Sequence, residues 1–163
     1  MSGLAAQAFR EKILRVPPVA RRQNTTFLRV PYSRKMAGRV YVYKDEGYAL
    51  WVELEFDRNI VSFNMEPPPL TVAHGSKEFD IPMSAAAVDR AGHLVLHFTQ
   101  TALEPIAGDG AAVQLLRSQQ WPAMDTSIRI WTDLEDLRLL DRANKATLLR
   151  NRIYLRYALS YAV

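Results

Sequence analysis

The chain has no cysteine. That excludes disulfides, thiolate metal sites and a cysteine nucleophile, and it suits a reducing cytoplasm, the expected location. It has no uninterrupted apolar run of roughly 18 residues, so no membrane span is expected. The opening MSGLAAQAFREKILRV lacks an apolar core followed by a small-residue cleavage site and does not read as a secretory signal. No glycine-rich phosphate loop of the nucleotide-binding type occurs, and Gly108–Asp109–Gly110 reads as a turn and helix cap. There is no internal repeat and no low-complexity tract. The three histidines, His74, His93 and His97, have no spacing or fourth ligand that would support zinc. Ser33 and Ser76 have no triad partners.

What is there is an ordinary globular composition over 163 residues, 48% apolar and 23% charged, enough for one domain with a core. The charge is unevenly spread. Residues 1–44 carry ten Lys/Arg against one acid, and residues 137–163 carry six against one. Residues 45–136 carry fifteen acids against five Lys/Arg. Basic ends around an acidic body point to a polyanion or an acidic partner, and nucleic acid is the expected one. The stretch VARRQNTTFLRVPYSRK interleaves Phe27 and Tyr32 with cations, the pairing that stacking and phosphate contact use, although aromatics there also serve as plain anchors.

In chain order, residues 1–15 read as a short helix stopped by Pro17 and Pro18. Gly38–Lys44 alternates as a strand. Asp45 reads as the N-cap of a helix over 46–56, with Trp51 among its apolar residues. Strands are expected near 60–65, 70–73, 79–88 (broken near Pro82), 93–99 and 127–131, all in one mixed sheet. Pro67–Pro69 is an edge stop. A helix follows Asp109, and the Thr132-x-x-Glu135 spacing starts another. Ala146, Leu149, Ile153 and Tyr157 fall at helical spacing near the end.

The runs GRVYVYKDEGYALWVELEFDRNIVSFNMEPPPL and AAVQLLRSQQWPAMDTSIRIWTDLEDL resemble the catalytic domain of TnsA, the endonuclease subunit of heteromeric transposases, over roughly residues 38–137. The resemblance implies an α/β fold of the restriction-endonuclease type, PD-(D/E)XK, with a mixed central sheet flanked by helices. It divides the chain into a basic N-terminal arm (1–37), the endonuclease-fold domain (38–140) and a basic C-terminal helix (141–163). The family's chemistry needs a helix Glu, an Asp at the start of the central hairpin and a Glu/Gln-x-Lys on its second strand, because Mg²⁺ wants oxygen ligands and must polarise phosphate and water. Here Gly47 stands at the helix Glu, with Glu46 one position away. No Pro-Asp dipeptide occurs. Asp80 is the acid nearest the hairpin start, while a register closer to Gly92 puts Ser84 there. The Glu/Gln-x-Lys position falls within Leu96–Gln100, which has no lysine.

The expectation is a DNA-binding, catalytically degenerate protein of a transposition or DNA-mobilisation system. Arg21, Arg22, Arg29, Arg34, Lys35 and Arg39 would contact phosphates, with Arg150, Arg152 and Arg156 from the tail. DNA and transposase or other protein subunits are the expected partners, with no membrane and no cofactor. One alternative is an active Mg²⁺-dependent nickase built from Glu46, Asp80 and His97, the only case that brings in Mg²⁺. The other is a protein-interaction module that uses the acidic body.

Overall fold

Three helices and ten strands, several of them only two residues long, make up the part of the chain that the computed structural model describes, residues 3–17, 28–100, 102–103, 111–119 and 125–131. The expected helices beyond Thr132, the Asp109 cap and the residues Arg21, Arg22, Arg150, Arg152 and Arg156 lie outside the described residues. Among the described residues no helix is long and apolar enough to cross a membrane.

The centre is a four-stranded mixed sheet of β5 (Ile60–Asn64), β8 (Ala85–Asp89), β9 (Leu94–Thr99) and β10 (Thr126–Trp131), in the order β10-β9-β8-β5. β5 and β9 both run antiparallel to β8, and β10 runs parallel to β9. A parallel neighbour needs a crossover, and α3 (Ala111–Ser118) lies in that connection. β8 is a run of alanines, poor strand formers, but it is covered on both faces: Ala85 and Ala87 pack on one side, Ala86 on the other, all fully buried. Burial overrides propensity here, and small side chains leave room for large ones above and below.

The sheet separates two apolar clusters. On one face, α2 (Lys44–Phe56) lays Leu50, Trp51 and Leu54 against Phe63, Ala85 and Ala87. On the other, α1 (Gly3–Leu14) and α3 bury Ile13, Leu115 and Leu116 against Leu94, Leu96 and Phe98. The alternation of β9 set this division: Leu94, Leu96 and Phe98 face α1 and α3, which turns His97 and Thr99 toward α2. α1 is therefore part of the packed body and not a free arm. Asn64 Nδ2 donates to the carbonyls of Ile13 (2.9 Å) and Arg15 (3.3 Å) at its C-terminus, and Arg10 Nη1 donates to Gly92 O at 2.7 Å.

Three expectations are corrected. The strands near 70–73 and 79–88 do not all join one sheet. β6 (Leu70–His74) and β7 (Lys77–Ile81) form a separate antiparallel hairpin turned by Gly75 at φ 62°, and only the residues after Pro82 enter the central sheet. Proline has no N–H to donate, so the extended segment divides there. The strand over Gly38–Lys44 is two short pieces, β3 (Gly38–Arg39) and β4 (Val42–Tyr43), which pair with β2 (Tyr32–Ser33) and β1 (Leu28–Arg29). The interruption lies opposite Pro31, whose carbonyl still accepts from Val40 N at 2.9 Å. Asp45 is not the N-cap of α2. Tyr43 occupies that position without a side-chain cap, and Asp45 sits in the first turn, where Arg29 Nη2 holds its Oδ1 at 2.6 Å. A guanidinium competes for that carboxylate more strongly than a backbone N–H.

Candidate functional site

The first turn of α2 opens onto a cavity of about 230 Å³. Glu46 and Gly47 line it from the helix, Met65 from the end of β5, Ser84 from the entry to β8, and Thr99 from the end of β9. These are the helix, the hairpin start and the second hairpin strand. Segments fifteen or more residues apart in sequence meet because α2 crosses the sheet with its N-terminus over that edge. Ser84 N donates to His97 O at 2.8 Å, and Ser84 Oγ lies 3.5 Å from Thr99 Oγ1, which accepts from Ala102 N at 3.3 Å. Lys44, also on the wall, holds φ at 60°, a left-handed conformation that costs a non-glycine residue about 1–3 kcal/mol.

Among the three residues named for catalysis, only Glu46 lines this cavity. Asp80 is exposed on β7, where its Oδ1 accepts from Thr71 Oγ1 at 2.8 Å. Ser84 stands immediately before β8, the first strand of the β8–β9 hairpin, and lines the cavity. His97 faces α2 but is 2% exposed, and Trp131 Nε1 donates to its Nδ1 at 3.0 Å. That bond makes Nε2 the protonated nitrogen, and Nε2 has no partner. Burial holds the imidazole down at about 4 from an ordinary 6.5; Arg129 adds to the depression and Asp57 opposes it. At neutral pH His97 is therefore an uncharged group, unlike the acid that a metal nuclease carries on this strand face.

The cavity's polar donors do not fit Mg²⁺. One carboxylate, the hydroxyls of Tyr43, Ser84 and Thr99 and a lysine give too few anionic oxygens to draw the ion from water. Among the described residues no three His, Asp or Glu side chains converge on a common point. The histidines stand apart as well. His74 is exposed on the separate hairpin, and His93 pairs with Asp89 across 3.2 Å at the β8–β9 turn. The His93 backbone N–H holds the Asp89 carboxyl below its ordinary range.

The described cations named for DNA do not form one patch. Arg29 sits at the N-terminal end of α2, paired with Asp45 and stacked 4.7 Å over the Tyr48 ring. Lys35 sits at the other end, roughly 18 Å along a thirteen-residue helix. Its Nζ donates to Leu54 O (2.6 Å) and Asp57 O (2.5 Å), so it closes the helix C-terminus and is not offered to a phosphate. Burial lowers its pKa, against the pull of Glu55 and Asp57. Arg34 is exposed beside it, and Arg39 lies on a smaller cavity of about 130 Å³ with Met36 and Glu66.

Sequence reasoning found the segment holding Thr99 but not the residue, and it missed Lys44. A threonine on a strand carries no chemical signal of its own. Lys44 could be singled out only through its backbone angle. Searches against family models, curated proteins and solved structures gave no match to this chain.

Proposed function

We propose that the chain is a restriction-endonuclease-like protein of the TnsA type that holds DNA without cutting it. Its place is in a cytoplasmic transposition or DNA-mobilisation assembly. The observation that carries this reading is the cavity itself. The order α2, β5, β8, β9, α3, β10, with the β6–β7 hairpin inserted after β5, supports it, with helices on both faces of a sheet whose last strand is parallel to its neighbour. In that frame Gly47 falls at the helix acid, with Glu46 one position away, and Ser84, His97 and Thr99 fall where a metal nuclease concentrates its other acid and a lysine. One anionic group among neutral ones cannot hold a divalent ion against phosphate. What is left to such a protein is binding. The cation excess of residues 1–44 and 137–163 supplies phosphate contacts that carry little base information.

The test has two arms. Binding to duplex DNA, followed by anisotropy, should weaken steeply with salt, with a log–log slope of roughly −0.9 per phosphate neutralised. Arg21→Glu with Arg22→Glu should weaken all sequences alike. On supercoiled plasmid with Mg²⁺ or Mn²⁺, the isolated protein should leave no nicks. Nicking that disappears in Glu46→Gln would replace this reading with an active nickase.

A further inference from the structure

We propose that the groove between α2 and the strand segment β1–β2 is a docking site for an acidic peptide of a partner protein, one that inserts apolar anchors between flanking carboxylates. The groove encloses about 580 Å³. Its floor is Trp51, and its walls include Val30, Tyr32 and Phe56. Those last three are 40%, 54% and 50% exposed, and they are three of the six large apolar side chains left exposed among the described residues. Single exposed apolar residues are ordinary, whereas several lining one concave surface mark a recognition site.

The walls are fixed before any partner arrives. Ser33 Oγ donates to Glu55 Oε2 at 2.6 Å, and Arg34 N donates to Glu55 Oε1 at 2.8 Å. Lys35 Nζ ties the same segment to the carbonyls of Leu54 and Asp57. A groove held open in this way spares a partner the entropy of shaping it.

The rim chooses the occupant. Both Glu55 oxygens take donors from the wall, and Asp57 Oδ1 accepts from Asn59 N at 2.8 Å. Arg34 and Arg58 reach the rim, and neither guanidinium has an ion-pair partner among the described residues. Two unpaired guanidiniums beside an apolar floor suit carboxylates that flank buried anchors. The chain's own ends, with ten Lys/Arg against one acid over 1–44 and six against one over 137–163, would bring cations to cations. A nucleic-acid strand carries a charge on every nucleotide and would press some of them on Glu55 and Asp57. A peptide can set its carboxylates opposite the arginines alone.

The experiment uses the full chain and three fluorescein-labelled probes read by anisotropy. The first is an amphipathic peptide with leucines at i, i+3, i+4 and i+7 and glutamates between them. The second has lysines in place of the glutamates. The third is an oligothymidylate. The glutamate peptide should bind, and the lysine peptide should bind at least about tenfold more weakly. Phe56→Ala should weaken the glutamate peptide, and Arg34→Glu with Arg58→Glu should invert the preference between the peptides. All three side chains are exposed, so the fold should survive their replacement. Three results would overturn the proposal. One is no saturable binding of the glutamate peptide. Another is a preference that the double charge reversal leaves unchanged. The third is oligothymidylate binding that the reversal abolishes while the peptides stay unbound.

Discussion

The two faces of the central sheet are built from the same strands, yet they have different chemistry. The face toward α1 and α3 is filled by Ile13, Leu94, Leu96, Phe98 and Leu116, each at most 1% exposed. The face toward α2 carries Trp51, whose Nε1 is buried without an acceptor, and His97, whose Nε2 is buried without a partner. The 230 Å³ cavity and the 580 Å³ groove also border α2. A buried polar group left unpaired costs about 1–3 kcal/mol. Among the described residues the α2 face holds two such nitrogens against one group, Thr126 Oγ1 in register with Leu94, on the other, so it gives up more stability. Proteins that break local rules of this kind usually do so where they bind or react. Both the proposed degenerate site and the proposed docking groove lie along α2.

The comparison can be broken by truncation. Leu96 and Leu50 are both 0% exposed, one on each face. Leu96→Ala should cost about 3–5 kcal/mol, because the hole it leaves is enclosed by packed side chains. Leu50 already borders the cavity. Leu50→Ala should cost nearer 2 kcal/mol, since the space it vacates joins one that water can enter. Urea unfolding of the two variants checks this, and equal losses would mean that the faces are packed alike.

The next effect depends on pH. The folded pKa of His97, about 4, lies below its ordinary 6.5. The unfolded chain therefore takes up the proton first as pH falls. The stability linked to neutral His97 is fully present above about pH 6.5 and is lost as pH falls through about 4, roughly 3 kcal/mol in all. Carboxylates titrate partly in the same window, so the contrast that matters is with His97→Asn. Its amide oxygen can still accept from Trp131 Nε1, but it does not titrate. Unfolding curves between pH 7.5 and 4.5 should fall more steeply for the wild type than for this variant.

The smallest effect is a gain. Gly47 is helical, and a Cβ built there meets nothing within 4 Å. Gly47→Ala should stabilise the fold by about 0.5–1 kcal/mol, read as a rise in the thermal midpoint, by lowering the backbone entropy of the unfolded chain. If it destabilises, the cavity wall is tighter than its geometry indicates.

Much of the scaffold was legible in the sequence. The alternation of His93–Thr99 assigned β9 and the faces of its side chains. The apolar spacing of 46–56 gave α2, and Pro82 marked the break between β7 and β8. Less was legible where a single residue had competing partners. Asp45 reads as a cap from its position, but Arg29 takes it. Lys35 reads as a free cation, but two carbonyls at the end of α2 claim it. The candidate site was half legible: Glu46 and the Ser84 register could be named, but Asp80 looked like the better acid until β6–β7 turned away as its own hairpin.

By itself the sequence determined the periodicities, the breaks and the charge distribution, because each is set by side-chain type and by spacing along a local helix or strand. Only the tertiary structure decided which residues share a cavity, which of the described arginines lack an ion-pair partner among the described residues and which imidazole nitrogen bears the proton. Those depend on distances between segments far apart in the chain, and on how far the packing between them excludes water from charged and polar groups.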